Sequence, residues 1–556
     1  MAGMCAGWVA PSAIASSRTW AGGSGNWTLA GNWGGTAPVA GDELIFSGSS
    51  VTNTNNFTAG TAFSGITFAS GASAFTLSGT NSITLSGYIT NSSSTAQTIS
   101  IPLSIASEII VDTGATGITL GGSGASAGGV ISGAGGLTKN GTGTLTLNAK
   151  NTYTGATTIN SGTLAMGNTS EGNLSSTTAV TIASGATLAL GAYSPISPTR
   201  QAGSIAGAGN ITSTANASTF TVGGDNTSTL FSGKLSAGVG QQLTLTKVGT
   251  GVLTLSGANT NMATQITGGM VVFQNTSAQS NKTVTVAAAG SVGLGVGGSG
   301  SYTEANVVSL FNSSLASFTL DAASGVGIDT TAGNFTLATA LTAARKLTKL
   351  GANTLTISSS NTYSGGTLIS AGAVLANTSS GSALGSGAAT VASGATLGGS
   401  GRIGAATTIS NGATLSAGGT LSSIGTLTFT SGITFATGSI LDFQLGAASS
   451  DKLVVSGGTL TGAGDDTITV NLTDAGDFAA GTYTLIDATG ATFSNFDAST
   501  FEIGETIDGY TFTFSRSGNL IQLIATTAVV PEPSIYAAFA GVVTLALAAG
   551  YRRRRG

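Results

Sequence analysis

Short alternating segments recur along most of the chain, with an aliphatic residue at every second position and Thr or Ser between. Residues 144–147 (TLTL) and 354–357 (TLTI) show this two-residue period, which is typical of strands with one buried face. The segments end at glycine-containing turns such as Asn140-Gly141 and Asn411-Gly412. We therefore predict an all-β protein whose chain turns every several residues.

The alternating segments belong to a longer internal repeat. One pattern occurs three times, as GAGGLTKNGTGTLTLNAKNTYTGATTINSGTLAMG from Gly133, LTLTKVGTGVLTLSGANTNMATQITGGMVVF from Leu243 and RKLTKLGANTLTISSSNTYSGGTLISAGAVLA from Arg345. A shorter theme, such as AVTIASGATLALG from Ala179, recurs between the copies. One copy cannot bury its own apolar face, but stacked copies can. We predict β-solenoid repeats over residues 51–440, in roughly 18 to 22 coils.

The long pattern, LTK-x-G-x-G-x-LTL followed by N-T-Y-[TS]-G-x-T, resembles the autotransporter-associated β-strand repeat of bacterial surface and secreted proteins. In the middle copy the resemblance is weaker, because Asn261-Met262 replaces the Tyr-Gly element. The resemblance implies a right-handed parallel β-helix. The repeat-motif positions in the first and third copies are Leu137, Lys139, Gly141, Gly143, Tyr153, Gly155, Leu347, Lys349, Gly351, Tyr363 and Gly365.

The amino-acid composition argues against several classes of function. Charged residues make up 7% of the chain, which contains 87 glycines and no His, so the commonest general base and the usual catalytic triads are missing. The body has no basic stripe, which argues against nucleic acid as a partner. Between Glu43 and Asp442 no close D-D pair occurs among the acids, which are Glu108, Asp112, Glu171, Asp225, Glu304, Asp321 and Asp329. We expect no catalysis, no cofactor and no metal.

The N-terminal region divides into two predicted segments. Residues 1–17 have a short apolar stretch and the A-x-A pattern Ala13-Ile14-Ala15, but no Lys or Arg precedes them. We interpret this segment as a truncated signal peptide, the alternative being that it is not a leader. Residues 18–50 contain Trp20, Trp27 and Trp33. We predict that these tryptophans cap the first coil, although three aromatic rings could also form a platform for sugars.

The acidic residues are concentrated towards the other end, where 12 of 21 lie between Asp442 and Glu532. Residues 452–455, 467–470 and 483–486 keep the β pattern, so we predict a C-terminal β cap or small β domain over residues 441–525. Asp465-Asp466 and the pair Asp474 and Asp477 could offer oxygen ligands to calcium. They lack the regular spacing of a calcium loop, so we interpret them as solvated turns.

The last residues predict a membrane segment. An uncharged apolar run from Ile535 to Tyr551 is followed by Arg552, Arg553, Arg554 and Arg555, as in a transmembrane helix with a positive cytoplasmic tail. Pro531, Glu532 and Pro533 precede it. Together, residues 531–556 resemble the PEP-CTERM sorting signal. That resemblance implies delivery by the secretion machinery and cleavage by an exosortase-type membrane protease.

Two functions remain open. The first is an exported structural protein, a repetitive β-helical rod anchored through its C-terminal helix before processing and afterwards located at the cell surface or in the extracellular matrix. The alternative is a glycan-binding adhesin or matrix-binding protein, with extracellular polysaccharide as its ligand. A row of exposed aromatic side chains would favour the alternative.

Overall fold

The structure is a computed structural model that describes residues 15–22, 24–49, 52–122, 128–167, 174–191, 199–214, 217–462 and 467–528. The chain divides into two compact units. The first comprises residues 1–355 and 362–368, and the second comprises residues 356–361 and 369–556. Nearly all regular structure in both units consists of short strands.

The strands that lie wholly in the first unit are β1 (Ser17–Trp20), β2 (Gly25–Asn26), β3 (Glu43–Phe46), β4 (Thr52–Thr54), β5 (Thr61–Phe68), β6 (Thr76–Ser78), β7 (Ile83–Asn91), β8 (Gln97–Ile99), β9 (Leu103–Ser104), β10 (Ile109–Asp112), β11 (Gly117–Leu120), β12 (Ile131–Ser132), β13 (Leu137–Asn140), β14 (Thr144–Leu147), β15 (Thr157–Ile159), β16 (Thr163–Met166), β17 (Ala179–Ile182), β18 (Thr187–Ala189), β19 (Thr199–Gln201), β20 (Ser204–Gly207), β21 (Asn210–Ser213), β22 (Ser218–Val222), β23 (Thr229–Phe231), β24 (Lys234–Ala237), β25 (Leu243–Lys247), β26 (Val252–Leu255), β27 (Met262–Ile266), β28 (Gly269–Phe273), β29 (Val284–Val286), β30 (Gly290–Gly295), β31 (Phe318–Leu320), β32 (Gly325–Asp329), β33 (Phe335–Leu337) and β34 (Leu347–Leu350).

The chain passes from one unit to the other around β35 (Thr354–Ile357) and β36 (Thr367–Ile369). The strands of the second unit are β37 (Ala373–Ala376), β38 (Ala389–Val391), β39 (Thr396–Gly399), β40 (Arg402–Ile403), β41 (Thr407–Ile409), β42 (Thr414–Ala417), β43 (Thr426–Phe429), β44 (Ile433–Phe435), β45 (Ile440–Leu445), β46 (Lys452–Val455), β47 (Thr459–Thr461), β48 (Ile468–Asp474), β49 (Gly481–Asp487), β50 (Thr492–Ser494), β51 (Phe501–Ile503), β52 (Tyr510–Ser517) and β53 (Leu520–Thr527).

Strands of the first unit pair in parallel with the equivalent strands of neighbouring coils. In the repeat from Gly133, Leu137 pairs with Thr157 and Thr144 pairs with Thr163. The burial of β14 alternates, with Leu145 and Leu147 inside and the threonines half-buried. This is the predicted alternation, and it places every aliphatic residue of the strand in the core. The sheets of the coil stack therefore share one continuous apolar interior.

The tryptophans of the N-terminal segment close the first coil. Trp20 and Trp27 are fully buried and Trp33 is 5% exposed. The Trp20 and Trp33 rings meet edge to face with centroids 5.1 Å apart, and the rings of Trp27 and Phe46 are 5.6 Å apart. The Trp27 indole N–H donates to Asn53 Oδ1 at 3.0 Å. Rings buried in this way cannot form a platform for sugars, and the role of residues 18–50 as a cap stays a prediction.

One α-helix, α1 (Glu304–Phe311), is found in the described residues of the first unit, and the strand pattern did not predict it. Thr303 caps its N-terminus by accepting from the Asn306 N–H, while Asn306 Oδ1 accepts from the Thr303 N–H at 3.0 Å. This is a capping box with Asn at the third position. The helix buries Phe311, whose ring lies 5.5 Å from that of Tyr363. Short 3₁₀ turns are found at Ala30–Trp33 and Ala498–Thr500.

Parallel pairing in the second unit continues past residue 440, where the sequence predicted a change to a cap. Strand β45 pairs in parallel with both β42 and β48, and β48 pairs in parallel with β51. Antiparallel pairing begins with β53, which lies between β49 and β52. The hairpin of β52 and β53 contributes Phe514, whose ring lies 5.1 Å from that of Phe501.

The all-β class and the parallel β-solenoid are confirmed, with about 18 turns, whereas the right-handed sense stays a prediction. No helix within the described residues is long and apolar enough to cross a membrane. The predicted membrane segment from Ile535 to Tyr551, the sorting motif, the arginine tail and residues 1–14 lie outside the described residues. The first described strand begins at Ser17.

We expect Trp27→Ala to destabilise the first coils by about 3–5 kcal/mol, because it removes a buried ring and its hydrogen bond. The measurement is hydrogen exchange of strands β3 and β5, followed by mass spectrometry. Leu29→Ala is the matched control, since Leu29 is 57% exposed, and should change protection little. Equal effects of the two substitutions would contradict the cap.

Candidate functional site

The lysine of the repeat is buried inside the solenoid. Lys139 follows Leu137 by two residues in β13, so its side chain points to the core face, and none of it is exposed. Its ammonium lies near Thr113 Oγ1 at 3.1 Å and the carbonyl oxygens of Asn140, Gly141 and Ser161 at 2.9, 2.8 and 3.0 Å. Three N–H groups are therefore shared among four acceptors.

These acceptors come from three successive coils. Thr113 follows β10, the coil before, and Ser161 follows β15, the coil after, while Asn140 and Gly141 form the turn of the same coil as Lys139. One cation thus adds charged hydrogen bonds to turn carbonyls, of which those of Asn140 and Gly141 also accept from the Thr113 N–H at 3.1 Å and the Ser161 hydroxyl at 3.0 Å. The ammonium group joins the turns of neighbouring coils.

The other two copies also bury their lysine against a carbonyl of the following turn. Lys349 is fully buried and donates to the Gly351 carbonyl at 2.8 Å. Lys247 is 1% exposed and donates to the Val248 carbonyl at 2.6 Å. Even the middle copy, where the sequence resemblance is weaker, therefore keeps the buried cation.

An aspartate on the preceding coil accompanies each lysine. In strand register the three lysines pair with a residue of the preceding coil, which is Val111, Val222 or Ile328. The aspartate follows that residue along the chain within three positions, as Asp112, Asp225 or Asp329. Each aspartate accepts from a backbone N–H two residues later, at 2.9, 3.1 and 2.8 Å. Three of the seven acids considered as catalytic candidates thus form turns beside the lysines.

Burial and charge act in opposite directions on these lysines. Burial lowers the pKa of Lys139 and of Lys349 from 10.5 to about 8, and the charge of Asp112 or Asp329 partly offsets it by raising the pKa. The pKa of Lys247 is also lowered by burial, against the charge of Asp225. The carbonyl acceptors favour the charged form as well.

The motif glycines permit this close packing. Gly141 and Gly351 have φ of +79° and +78°, a left-handed conformation in which glycine is preferred. A Cβ at either position would also lie 2.5 Å from the carboxylate of Asp112 or Asp329. A Cβ on Gly155 or Gly365 would meet backbone atoms of the preceding coil at 2.4 or 2.2 Å, and one on Gly143 would meet the Gly117 nitrogen at 2.9 Å.

The motif tyrosines are structural. Tyr153 and Tyr363 are fully buried, and each hydroxyl lies 2.7 Å from the Oγ1 of a threonine four residues later, Thr157 or Thr367. Burial raises the pKa of both tyrosines. Leu137 and Leu347, which open the motif, are also buried.

The remaining acids of the first unit have separate roles. Glu108 accepts from the Thr138 hydroxyl, and Asp321 Oδ1 accepts from the Ala323 N–H at 2.9 Å. Glu304 Oε1 accepts from the Ala338 and Thr339 N–H groups at 2.7 and 2.6 Å. Glu171 lies outside the described residues.

The structure describes one of the two groups of aspartates that could offer oxygen ligands to calcium. Asp474 is exposed, and its Oδ1 accepts from the Gly476 N–H at 2.7 Å, as in an Asx turn. Asp465 and Asp466 lie outside the described residues. Within the part of the chain that is described, no group of three or more His, Cys, Asp or Glu side chains is arranged to hold a metal.

The repeat β-helical fold is passenger-like and suggests a structural or surface repeat protein. The family described as passenger-associated-transport-repeat matches residues 137–166, 245–272 and 347–376. Each match includes one buried lysine, Lys139, Lys247 or Lys349. The matches support an autotransporter-associated repeat protein, and this repeat suggests an exported or surface protein. The comparison with curated proteins gave no match.

Sequence reasoning identified the LTK motif but missed the burial of its lysine. The signal was present, because Lys139 and Lys349 lie two residues after Leu137 and Leu347 and so share the inward face of their strands. A lysine is almost never fully buried unless it is paired, so its position on the inward face was an insufficient reason to place it in the core.

We expect Lys139→Met to lower the free energy of unfolding by about 1–3 kcal/mol, because it removes the charged hydrogen bonds that join the turns of three coils. The measurement is urea denaturation followed by circular dichroism, with hydrogen exchange of β13 and β15 to localise the effect. Lys150→Met is the matched control, since Lys150 is exposed. An equally large effect in the control would contradict the role of the ammonium.

We also expect stability to rise between about pH 8 and pH 10 and to fall at higher pH. In the lower range the unfolded lysines keep a proton that folded Lys139 and Lys349 release, so the unfolded state binds more protons and rising pH favours folding. Above about pH 10 the unfolded tyrosines ionise, whereas burial keeps Tyr153, Tyr302 and Tyr363 neutral in the fold, and rising pH favours unfolding.

The urea midpoint measured from pH 7 to pH 11 checks this pH dependence. The double variant Lys139→Met, Lys349→Met should lose most of the rise, since Lys247 also has a pKa lowered by burial, and keep the fall. A midpoint that decreases steadily from pH 7 would contradict the assignment of the two lysines.

Proposed function

We propose that this chain is an exported structural protein of the cell surface or extracellular matrix, with no catalytic activity. The proposal rests on the three repeat matches, which lie on coils of a parallel solenoid. Such coils bury their apolar face against one another, so the body is held by backbone pairing along the whole stack. In the described residues of the first unit, the acids and the repeat lysines serve turns and coil contacts.

We further propose that the chain is sorted through residues 531–556. The support comes from the sequence, in which Pro531, Glu532 and Pro533 precede the apolar run Ile535 to Tyr551 and the arginines Arg552 to Arg555. The chain would be anchored by this segment before processing and would require the secretion machinery and an exosortase-type protease as partners. The processed body would then be located at the cell surface or outside the cell.

One feature in each unit agrees with an extracellular role. A solenoid has strand edges that can pair with other chains and cause aggregation. In the first unit the rings of Trp20 and Trp33 pack on each other, and in the second unit the antiparallel hairpin of β52 and β53 pairs with β49. These features would limit association with other chains outside the cell.

A glycan-binding adhesin is the second candidate. Among the large hydrophobic side chains that are exposed in the described residues, Tyr88 is the one aromatic, so no row of aromatic rings supports sugar stacking. A polar cleft in the second unit is the observation that favours this candidate.

We expect the mature protein from the native host to lack the residues after about Pro533. Intact mass and C-terminal sequencing, carried out separately on membranes and medium, measure this. Glu532→Ala should leave the chain full-length in the membrane fraction, whereas Asp508→Ala, which removes an exposed acid elsewhere, should be processed normally. A full-length wild-type chain found in membranes alone would contradict the sorting proposal.

A further inference from the structure

A polar cleft lies on the second unit where β45 pairs with β48. Asp442 faces Asn471, and Gln444 faces Thr473, in parallel register. These four side chains, together with Asp474 and Glu505, line a cleft of about 520 Å³. This volume lies in the range of small-ligand sites. The cleft therefore has room for one or two sugar rings.

The side-chain amides of Asn471 and Gln444 in the cleft differ in their hydrogen bonding. Asn471 uses both ends of its amide: Nδ2 donates to Asp442 Oδ1 at 2.9 Å, and Oδ1 accepts from the Glu505 N–H at 3.1 Å. Gln444 is 6% exposed and donates through Nε2 to the Leu421 carbonyl at 2.6 Å. Its Oε1 is buried and has no donor among the described residues. A buried acceptor without a donor is unfavourable, so a ligand group that donates to this oxygen would be stabilised.

The charge of the cleft is negative. Asp442, Asp474 and Glu505 contribute carboxylates, and none of the described lining residues is basic. Burial raises the pKa of Asp442, and the negative charge of Glu505 raises it further, against the hydrogen bond from Asn471. Like charges that lack a counter-charge attract a cationic ligand.

A bare metal ion fits these observations less well. The described residues contain no cluster of three acidic, His or Cys side chains with the arrangement of a metal site. Asp474 already uses Oδ1 to accept from two backbone N–H groups, those of Gly476 and Phe478, at 2.7 and 3.3 Å. The features of the cleft instead match a larger ligand that carries both a positive charge and several hydrogen-bond donors.

We propose that this cleft binds an amino-sugar unit of an extracellular polysaccharide. The sugar ammonium lies against Asp442 and Glu505, and a ring hydroxyl donates to Gln444 Oε1 after the buried amide turns towards the cleft. This binding role goes beyond the structural role proposed above and deepens the second candidate function, and it does not depend on processing of the C-terminal tail.

The test is isothermal titration calorimetry of the purified full chain at about pH 6.5, where a sugar amine is largely protonated. The probes are the trimer of glucosamine, its N-acetylated form, which has the same rings without the charge, and calcium chloride alone. We expect binding of the glucosamine trimer with a Kd of about 1 mM or tighter, and at least about tenfold weaker binding of the N-acetylated trimer.

Variants separate the cleft from general negative charge. Glu505→Gln and Gln444→Met should each weaken binding of the glucosamine trimer by about tenfold. Asp508→Asn removes an equally exposed acid that does not line the cleft, and it should stay within about twofold of the wild type. Because Glu505 is exposed, its variant keeps the test valid if Gln444→Met fails to fold.

Two results would overturn the proposal: no binding of the glucosamine trimer, or equal affinity for the N-acetylated trimer. If the glucosamine trimer does not bind and Glu505→Gln abolishes binding of calcium, the cleft is a metal site instead. Failure of tail processing in the native host would leave this binding unchanged. The two experiments therefore fail independently.

Discussion

Parallel backbone pairing between successive coils is the constraint on which the rest of the structure depends. The strands have two to nine residues, and such short strands have little stability of their own. Each gains a partner on the coil before and the coil after, as β13 does with β10 and β15. This stacking requires that inward positions be apolar, that turns be tight and that neighbouring backbones approach closely.

The turns create a difficulty that the repeat lysine resolves. The turns next to the repeat lysines bring carbonyl groups against the core, as those of Asn140, Gly141 and Ser161 show. Lys139 supplies donors to carbonyl oxygens of its own coil and of the next coil. Glycine at positions 141 and 351 leaves room for the aspartate of the preceding coil. The LTK-x-G motif is therefore one structural device, in which the lysine and the glycine depend on each other.

Acidic residues have different surroundings in the two units. In the first unit Asp112, Asp225 and Asp329 form turns beside buried lysines. In the second unit Asp442 and Glu505 line a cleft whose described residues include no basic side chain. Charges that are balanced locally stabilise a coil, whereas unbalanced charges beside an unpaired amide oxygen are suited to a ligand. This difference is the physical basis for assigning a structural role to the repeats and a binding role to the cleft.

The sequence by itself determined the all-β class, the repeat and the burial of the three tryptophans, because period-two alternation and turn glycines act over a few residues. It did not predict helix α1, the parallel pairing of β45 with β48 beyond residue 440, or the buried state of Lys139. Tertiary structure decided these features. Two of the four acceptors of Lys139 come from coils more than 20 residues away, and Phe311 of α1 packs on Tyr363. Local patterns report which side of a strand is apolar, but a buried charge or an inserted helix is stable only when distant segments supply its partners.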